Sequence, residues 1–220
     1  MALRTEIQGL ETHPELAVFV HGRLDTACDN LALANDFAAV VVCADELPGE
    51  HNVWYGLGRA AGDVTGRQVT IYCSAQEFLK SDRSREAGHP PTAVWEQFDA
   101  PAGERARGPE AFSAKGTDCL LHHHLLVVQD LARNAVIPET IPANLIQAFE
   151  ASWATGADGR LARAGLPGFS LTERRSLFSA LFAPAGILLP DHWQIFESLW
   201  DGALTEQRDV LAVVRQLPRL

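Results

Sequence analysis

"LLHHHLLVVQDL", Leu120 to Leu131, decides how this chain is read. The run is apolar apart from three consecutive histidines, Gln129 and Asp130, and its apolar residues recur at three- and four-residue steps, the period of a helix. At about 100° per residue, Leu120, Leu121, His124, Leu125, Val128, Leu131 and Ala132 gather on one side, which predicts a core face with His124 in its middle. Cys119, His123, Leu126, Val127 and Asp130 gather on a second side, and His122 and Gln129 form a third edge. The three histidines therefore point three ways and cannot all serve one ion. Helical side chains meet at spacings of three or four, so the pairs open to a metal are Cys119 with His123 and Asp118 with His122. Asp130, seven residues beyond His123, shares its side. Cys119, His123 and Asp130 form one candidate ligand set. A buried cysteine, a carboxylate-bonded histidine and a helix-end aspartate give the same letters without a metal.

Working outward, Thr117 or Asp118 is the expected cap of this helix, which should run to about Asn134. Ahead of it, Lys80 to Lys115 is polar and proline-punctuated and reads as a long loop or linker, with "TAVWEQF" as a short helix or strand inside it. Earlier still, Glu15 to Asn35 has helical periodicity. "AAVVVC" to Cys43 reads as a buried strand from Ala38, and "RQVTIYCS" as a second strand with Val69, Ile71 and Cys73 on one side. The glycine-rich "PGEHNVWYGLGRAAGDVTG" between them reads as loop, with Trp54 and Tyr55 at a surface hairpin or rim. Behind the histidine helix, "IPETIP" is a break, and Pro142 opens a helix through "ANLIQAFEASWA". "TGADG" is expected to interrupt it before "RLARAG" adds a turn or two. "SLTERRSLFSALF" starts with a capping box, Ser170 and Glu173. Two further helices follow, from Pro190–Asp191 to Gly202 and over "TEQRDVLAVVRQL". A helix and strands in front with helices behind predict an α+β fold rather than alternating βαβ units.

The bulk numbers bound the function. The chain has 220 residues, is 47% hydrophobic and 21% charged, and carries a formal net charge of −10. That balance argues against a nucleic-acid partner, which needs clustered Lys and Arg. The four cysteines, Cys28, Cys43, Cys73 and Cys119, form no CxxC pair and each lies in an apolar run, so free buried thiols are expected. "MALRTEIQGLETHPEL" has no basic-then-apolar signal pattern, and no apolar stretch approaches a membrane span. The expectation is a reduced, cytoplasmic protein with no membrane partner.

His122, His123 and Asp130, set in their apolar frame, also carry a likeness to a known family. The stretch His122-His123-His124-Leu125-Leu126-Val127-Val128-Gln129-Asp130 resembles the active-site helix of small bacterial zincin-like metallopeptidases, His-His-Glu-x-x-His-x-x-Asp. In that family two histidines one turn apart hold zinc and the glutamate activates the bound water. The resemblance places His123 at the first ligand position. His124 stands where the general-base glutamate belongs, and Val127 where the second histidine belongs. Both are departures, and together they imply a degenerate motif. The resemblance further implies an edge strand before the helix, a role "RQVTIYCS" could fill, and a third ligand from a following helix or turn, Glu150 or Asp158. As ordinary residues, Glu150 is a solvated helix position and Asp158–Gly159 a turn.

The resulting expectation is a single zincin-like domain over 1–220, with a helix and strands in 1–80, a long loop region in 81–116 and a helical half in 117–220 that contains the former active-site helix. Its expected function is a binding or regulatory role after loss of peptidase activity, with a protein or peptide partner and no resident cofactor. The alternative is an active zinc-dependent hydrolase with shifted ligands drawn from His123, Asp130, Glu150 and Asp158, or His122. A third reading is an unrelated helical domain whose histidines serve packing or a pH-sensitive interface. Other chemistries are weaker. No G-x-S-x-G elbow or Walker loop occurs, Cys119 beside His123 is a poor nucleophile–base pair, and "GLGRAAG" lacks a leading strand. The tryptophans and phenylalanines from Phe149 to Trp200 fall at helical spacing and read as core or an oligomer face rather than a cofactor box. Arg160, Arg163, Arg174 and Arg175 read as a solvated face, or else as a site for an anionic partner.

Overall fold

The computed structural model describes residues 2–44, 53–60, 66–78, 112–183 and 189–217. The chain divides into two compact units, Met1–Leu121 and His122–Leu220. The expected loop from Lys80 onward, as far as Ala111 and with "TAVWEQF" included, lies outside the described residues.

The first unit is built on a four-stranded sheet. Strand β1 is Arg4–Gln8, helix α1 is Pro14–Asn30, and strands β2, β3 and β4 are Ala39–Cys43, Val53–Arg59 and Arg67–Cys73. Their order in the sheet is β1-β2-β4-β3, with β1, β2 and β4 parallel and β3 antiparallel to β4. Every residue of β2 is buried, as a central strand covered on both faces should be. Helix α1 turns Leu16, Val20, Leu24, Ala27 and Cys28 inward. It stops five residues short of the predicted Asn35, because Ala32 takes a left-handed backbone (φ 51°) and Leu33–Asn35 forms a 3₁₀ turn.

Three expectations need correcting here. The sequence reading contains no β1, because "RTEIQ" is a short polar strand whose stability comes from parallel pairing with β2 and from Thr5 on α1. The Thr5 hydroxyl donates to Asp25, and its oxygen lies 3.2 Å from His21 Nε2. With β1 in place, β1-α1-β2 is a parallel crossover, so the front of the chain does contain one βαβ unit. The supposed glycine-rich loop holds β3. Its glycines disguise it: the Tyr72 ring lies 3.4 Å from where a Gly56 β-carbon would be, and among the described residues nothing lies within 4 Å of a Gly58 β-carbon. "RQVTIYCS" consequently lies inside the sheet between β2 and β3, and β3 is the outer strand.

Helix α2, Ala114–Ala132, carries the histidines and runs across the division between the units. It begins one turn before the predicted cap. The Ser113 hydroxyl accepts the Gly116 N–H at 2.9 Å, so Ser113 caps it, while Thr117 is buried within the helix and Asp118 pairs with Arg23 at 2.7 Å. Asn134, in a left-handed conformation (φ 57°), follows its end.

The second unit is helical: α3 Ile146–Arg163, α4 Leu171–Phe182, α5 Pro190–Trp200 and α6 Gln207–Gln216. Phe149, Trp153, Phe178, Phe182, Phe196, Leu199, Val210 and Val214 build its core, as the aromatic spacing predicted, with Trp193 and Trp200 partly buried against it. The Ser170–Glu173 capping box starts α4, with the Ser170 N–H donating to Glu173 at 2.7 Å. "TGADG" does not interrupt α3. Its glycines serve close packing: a β-carbon on Gly159 would fall inside the van der Waals shell of the Trp200 carbonyl oxygen, and one on Gly156 would sit 3.6 Å from the Leu199 carbonyl. Arg163 donates to the same Trp200 carbonyl, covering the C-terminus of α5. Among the described residues no helix is long and apolar enough to cross a membrane.

The two glycines therefore predict opposite outcomes. Gly159→Ala should cost about 2–3 kcal/mol, since overpacking against backbone outweighs the roughly 1 kcal/mol gained in helix propensity. Gly156→Ala should be neutral or stabilising by up to about 1 kcal/mol. Urea denaturation of the two variants measures both.

Candidate functional site

All four cysteines are free and buried, as expected. Burial pushes the Cys28 and Cys73 thiols up to about 12, further raised by nearby acids, so neither supplies a thiolate at neutral pH. The chemistry that remains lies on α2.

That helix is buried on nearly all sides, not on one face. His122 and His123 are 1% and 5% exposed, whereas His124, expected at the centre of the core face, is only half-buried. A one-sided reading fails because an apolar helix flanked by polar residues that find internal partners can be enclosed all round.

His123 is the hub. Its Nδ1 lies 3.1 Å from Asp158 Oδ1, which also accepts the Phe169 N–H at 3.2 Å. Arg174 donates through Nε to the other Asp158 oxygen, and its Nη2 lies 3.2 and 3.3 Å from the two His123 ring nitrogens. The Arg174 guanidinium also lies over the Phe169 ring at 4.7 Å, and that ring meets His123 edge-on at 5.3 Å. These partners fit a neutral imidazole with the proton on Nδ1, donating to Asp158, and Nε2 facing Arg174. Burial lowers the His123 pKa, and Arg174 and Arg160 add to the effect against the pull of Asp158. Burial, His123 and Arg174 push His124 well below the ordinary histidine range. Burial alone would raise Asp158, but His123 and Arg174 outweigh it and hold the carboxyl below its usual range.

Asp130 belongs to a second cluster. It accepts from Trp153 Nε1 at 2.9 Å and from both terminal nitrogens of Arg160, one of them at 2.9 Å. Arg160 also lies over the Trp153 ring at 5.9 Å. Asp130 is thus turned to Arg160 rather than to His123.

The proposed ligands therefore do not assemble. The structure brings His123 and Asp158 together; Asp130 is committed elsewhere, Glu150 is exposed on α3, and His122 is buried. Among the described residues no group of three or more His, Cys, Asp or Glu side chains is placed to hold a metal. The donors at His123 do not fit zinc, which needs three protein ligands at about 2.0–2.3 Å. Among the described residues two donors are present, and a guanidinium occupies the space beside both ring nitrogens. Asp158, read as a turn residue, sits fully buried in the middle of α3.

Of the four arginines, Arg174 departs from the expected solvated face. Arg160 and Arg174 bond to buried carboxylates, Arg163 bonds to the Trp200 carbonyl at the surface, and Arg175 lies over Trp193 at 5.4 Å and 4.0 Å from Glu197. Only Arg174 is buried; Arg160, Arg163 and Arg175 keep part of their surface exposed, as a solvated face would, while also bonding to neighbouring helices. Arg174 and Phe169 are the site residues the sequence reading missed. Arg174 sits 16 residues from Asp158 on another helix, and no local period links them.

Two outcomes follow. Removing one partner of the buried pair, in Asp158→Leu or Arg174→Met, should cost about 3–5 kcal/mol, while the double variant should recover much of that loss. A double-mutant cycle by urea denaturation reads this. The stability of the second unit should also rise with pH. The folded pKa values of His123 and His124 lie below the ordinary value of about 6.5, so the unfolded chain binds more protons as pH falls below it. Stability present above about pH 6.5 is lost as pH drops towards the folded values, with a further loss once pH falls below the ordinary Asp158 range of about 3.9. The denaturation midpoint should fall between about pH 7.5 and 5.5, less steeply in His124→Gln.

No protein-family model, curated protein or solved structure matches the chain.

Proposed function

We propose that this chain is a zincin-like protein that has lost metallopeptidase activity and works by binding a protein or peptide. The observation that carries the proposal is the seat of Arg174. Where the resemblance implies a zinc ion beside His123, a cationic side chain pairs with Asp158 and faces both imidazole nitrogens. Val127, at the second ligand position, has no donor atom. His124, at the general-base position, is kept neutral by burial and its cationic neighbour. An imidazole at that position does not reproduce the geometry of the carboxylate that serves the family as general base. The order of elements supports the family reading, since an antiparallel outer strand precedes the histidine helix. What such a scaffold retains is its surface.

Metal analysis and peptide hydrolysis by protein purified without a histidine tag test this reading. The expected result is no stoichiometric zinc and no turnover of unstructured peptide substrates, in the parent protein and in His123→Ala alike. One zinc per chain that disappears in His123→Ala, together with hydrolysis that chelation abolishes, would sink it.

A further inference from the structure

The place where β1 meets α1 gathers more acceptors than protons. We propose that Thr5, His21 and Asp25 hold a divalent transition-metal ion of the zinc class, at a surface site that fastens β1 to α1. The site is separate from His123 and does not rest on the loss of catalysis.

His21 and Asp25 stand one turn apart on α1, so their side chains lean to one point. Strand β1 supplies the other donors. The Arg4 N–H donates to the Ala38 carbonyl and the Gln8 carbonyl accepts the Ala44 N–H, so the even-numbered residues of β1 turn their backbone groups to β2. Thr5 turns its carbonyl the other way, 3.4 Å from His21 Nε2. Its hydroxyl oxygen lies 3.2 Å from the same nitrogen and donates to Asp25 Oδ1 at 2.5 Å. The second Asp25 oxygen lies 3.7 Å from His21 Nδ1. The His21 and Asp25 side chains keep 44% and 50% of their surface exposed, so an ion can reach them.

Counting protons points to a cation. Two oxygens of Thr5 and two of Asp25 face the His21 ring or one another, and a hydroxyl with a neutral imidazole brings two protons to share among them. One proton lies between Thr5 and Asp25. The other sits on a single ring nitrogen and leaves the second nitrogen with a lone pair turned to an oxygen. An ion between them relieves that opposition. The spacing suits one: ligands about 2.0–2.1 Å from a tetrahedral metal stand roughly 3.4 Å apart, and the two Thr5 oxygens lie 3.2 and 3.4 Å from Nε2. Asp25, already against the hydroxyl, supplies the negative charge. Donor type and charge select the occupant. The net charge of −10 draws cations, and the nearby Arg4 and Arg23 are paired with Glu6 and Asp118. One imidazole with oxygens and no sulfur suits zinc or copper(II), whereas magnesium and calcium prefer all-oxygen sites. Two strong ligands in place of the four of a structural zinc site put the dissociation constant roughly between 1 µM and 1 mM. An ion held so loosely leaves on desalting, and zinc retained through purification still reports on His123.

Calorimetric titration of zinc ions into the desalted, untagged full chain at about pH 7.5 should show one ion per chain, with a dissociation constant below about 1 mM. His21→Gln keeps a donor for the Thr5 carbonyl but has no imidazole, and it should abolish binding in that range. Asp25→Asn should weaken binding at least about tenfold, and His13→Ala should leave it unchanged. Protons compete for the ring, so affinity should fall between about pH 7.5 and 5.5. Zinc should also slow amide exchange along β1, which an ion bound elsewhere would not do. No binding at about 1 mM zinc, binding that survives His21→Gln, or binding that leaves β1 exchange unchanged would each overturn the proposal.

Discussion

A carboxylate with no exposure to water cannot stay charged without close partners, and Asp158 is such a group. Its position in the middle of α3 obliges the surrounding helices to supply donors. Arg174 comes from α4, the Phe169 N–H from the segment leading into α4, and His123 from α2. The capping box fixes where α4 starts, and so how far along that helix Arg174 lies. Removing any one donor leaves the carboxylate undercompensated, a greater cost than the net worth of the bond itself. Buried ion pairs contribute little to stability compared with well-packed apolar side chains, but they tolerate few alternative arrangements. Here that selectivity fixes which helices meet and at what depth.

The histidine helix takes its character from the same constraint. An imidazole able to bind a metal needs an exposed lone pair and neighbours of like purpose. His123 has instead a carboxylate on one nitrogen, a guanidinium beside both, and a phenylalanine against its edge. The helix resembles a hydrolytic one in its letters, but the side chains around His123 are engaged in internal bonding. Asp130 is likewise bonded internally, forked by Arg160 and accepting from Trp153.

Much of the fold was legible where the cause was local. The β-branched run of β2, the alternation of β4, the Ser170–Glu173 box and the aromatic spacing of α3 to α5 each act through neighbours a few residues away. The failures were non-local. Strand β1 depends on β2, some 35 positions distant in register. Strand β3 is concealed by Gly56 and Gly58, and the first of these is covered by Tyr72 from the next strand. "TGADG" looked like a break because glycine and aspartate weaken an isolated helix, yet each is required by a contact with another helix. At the site, His123 and Asp158 were both among the candidates for a ligand set, and the sequence held no sign that Arg174 would come between them and any ion.

All four cysteines lie at or before Cys119, within the first unit, and all are buried. An alkylating reagent added to the native protein should therefore meet almost no reactive sulfur until that unit opens. The rate of modification then counts opening events at the elements that carry these cysteines, an internal stopwatch that needs no added probe.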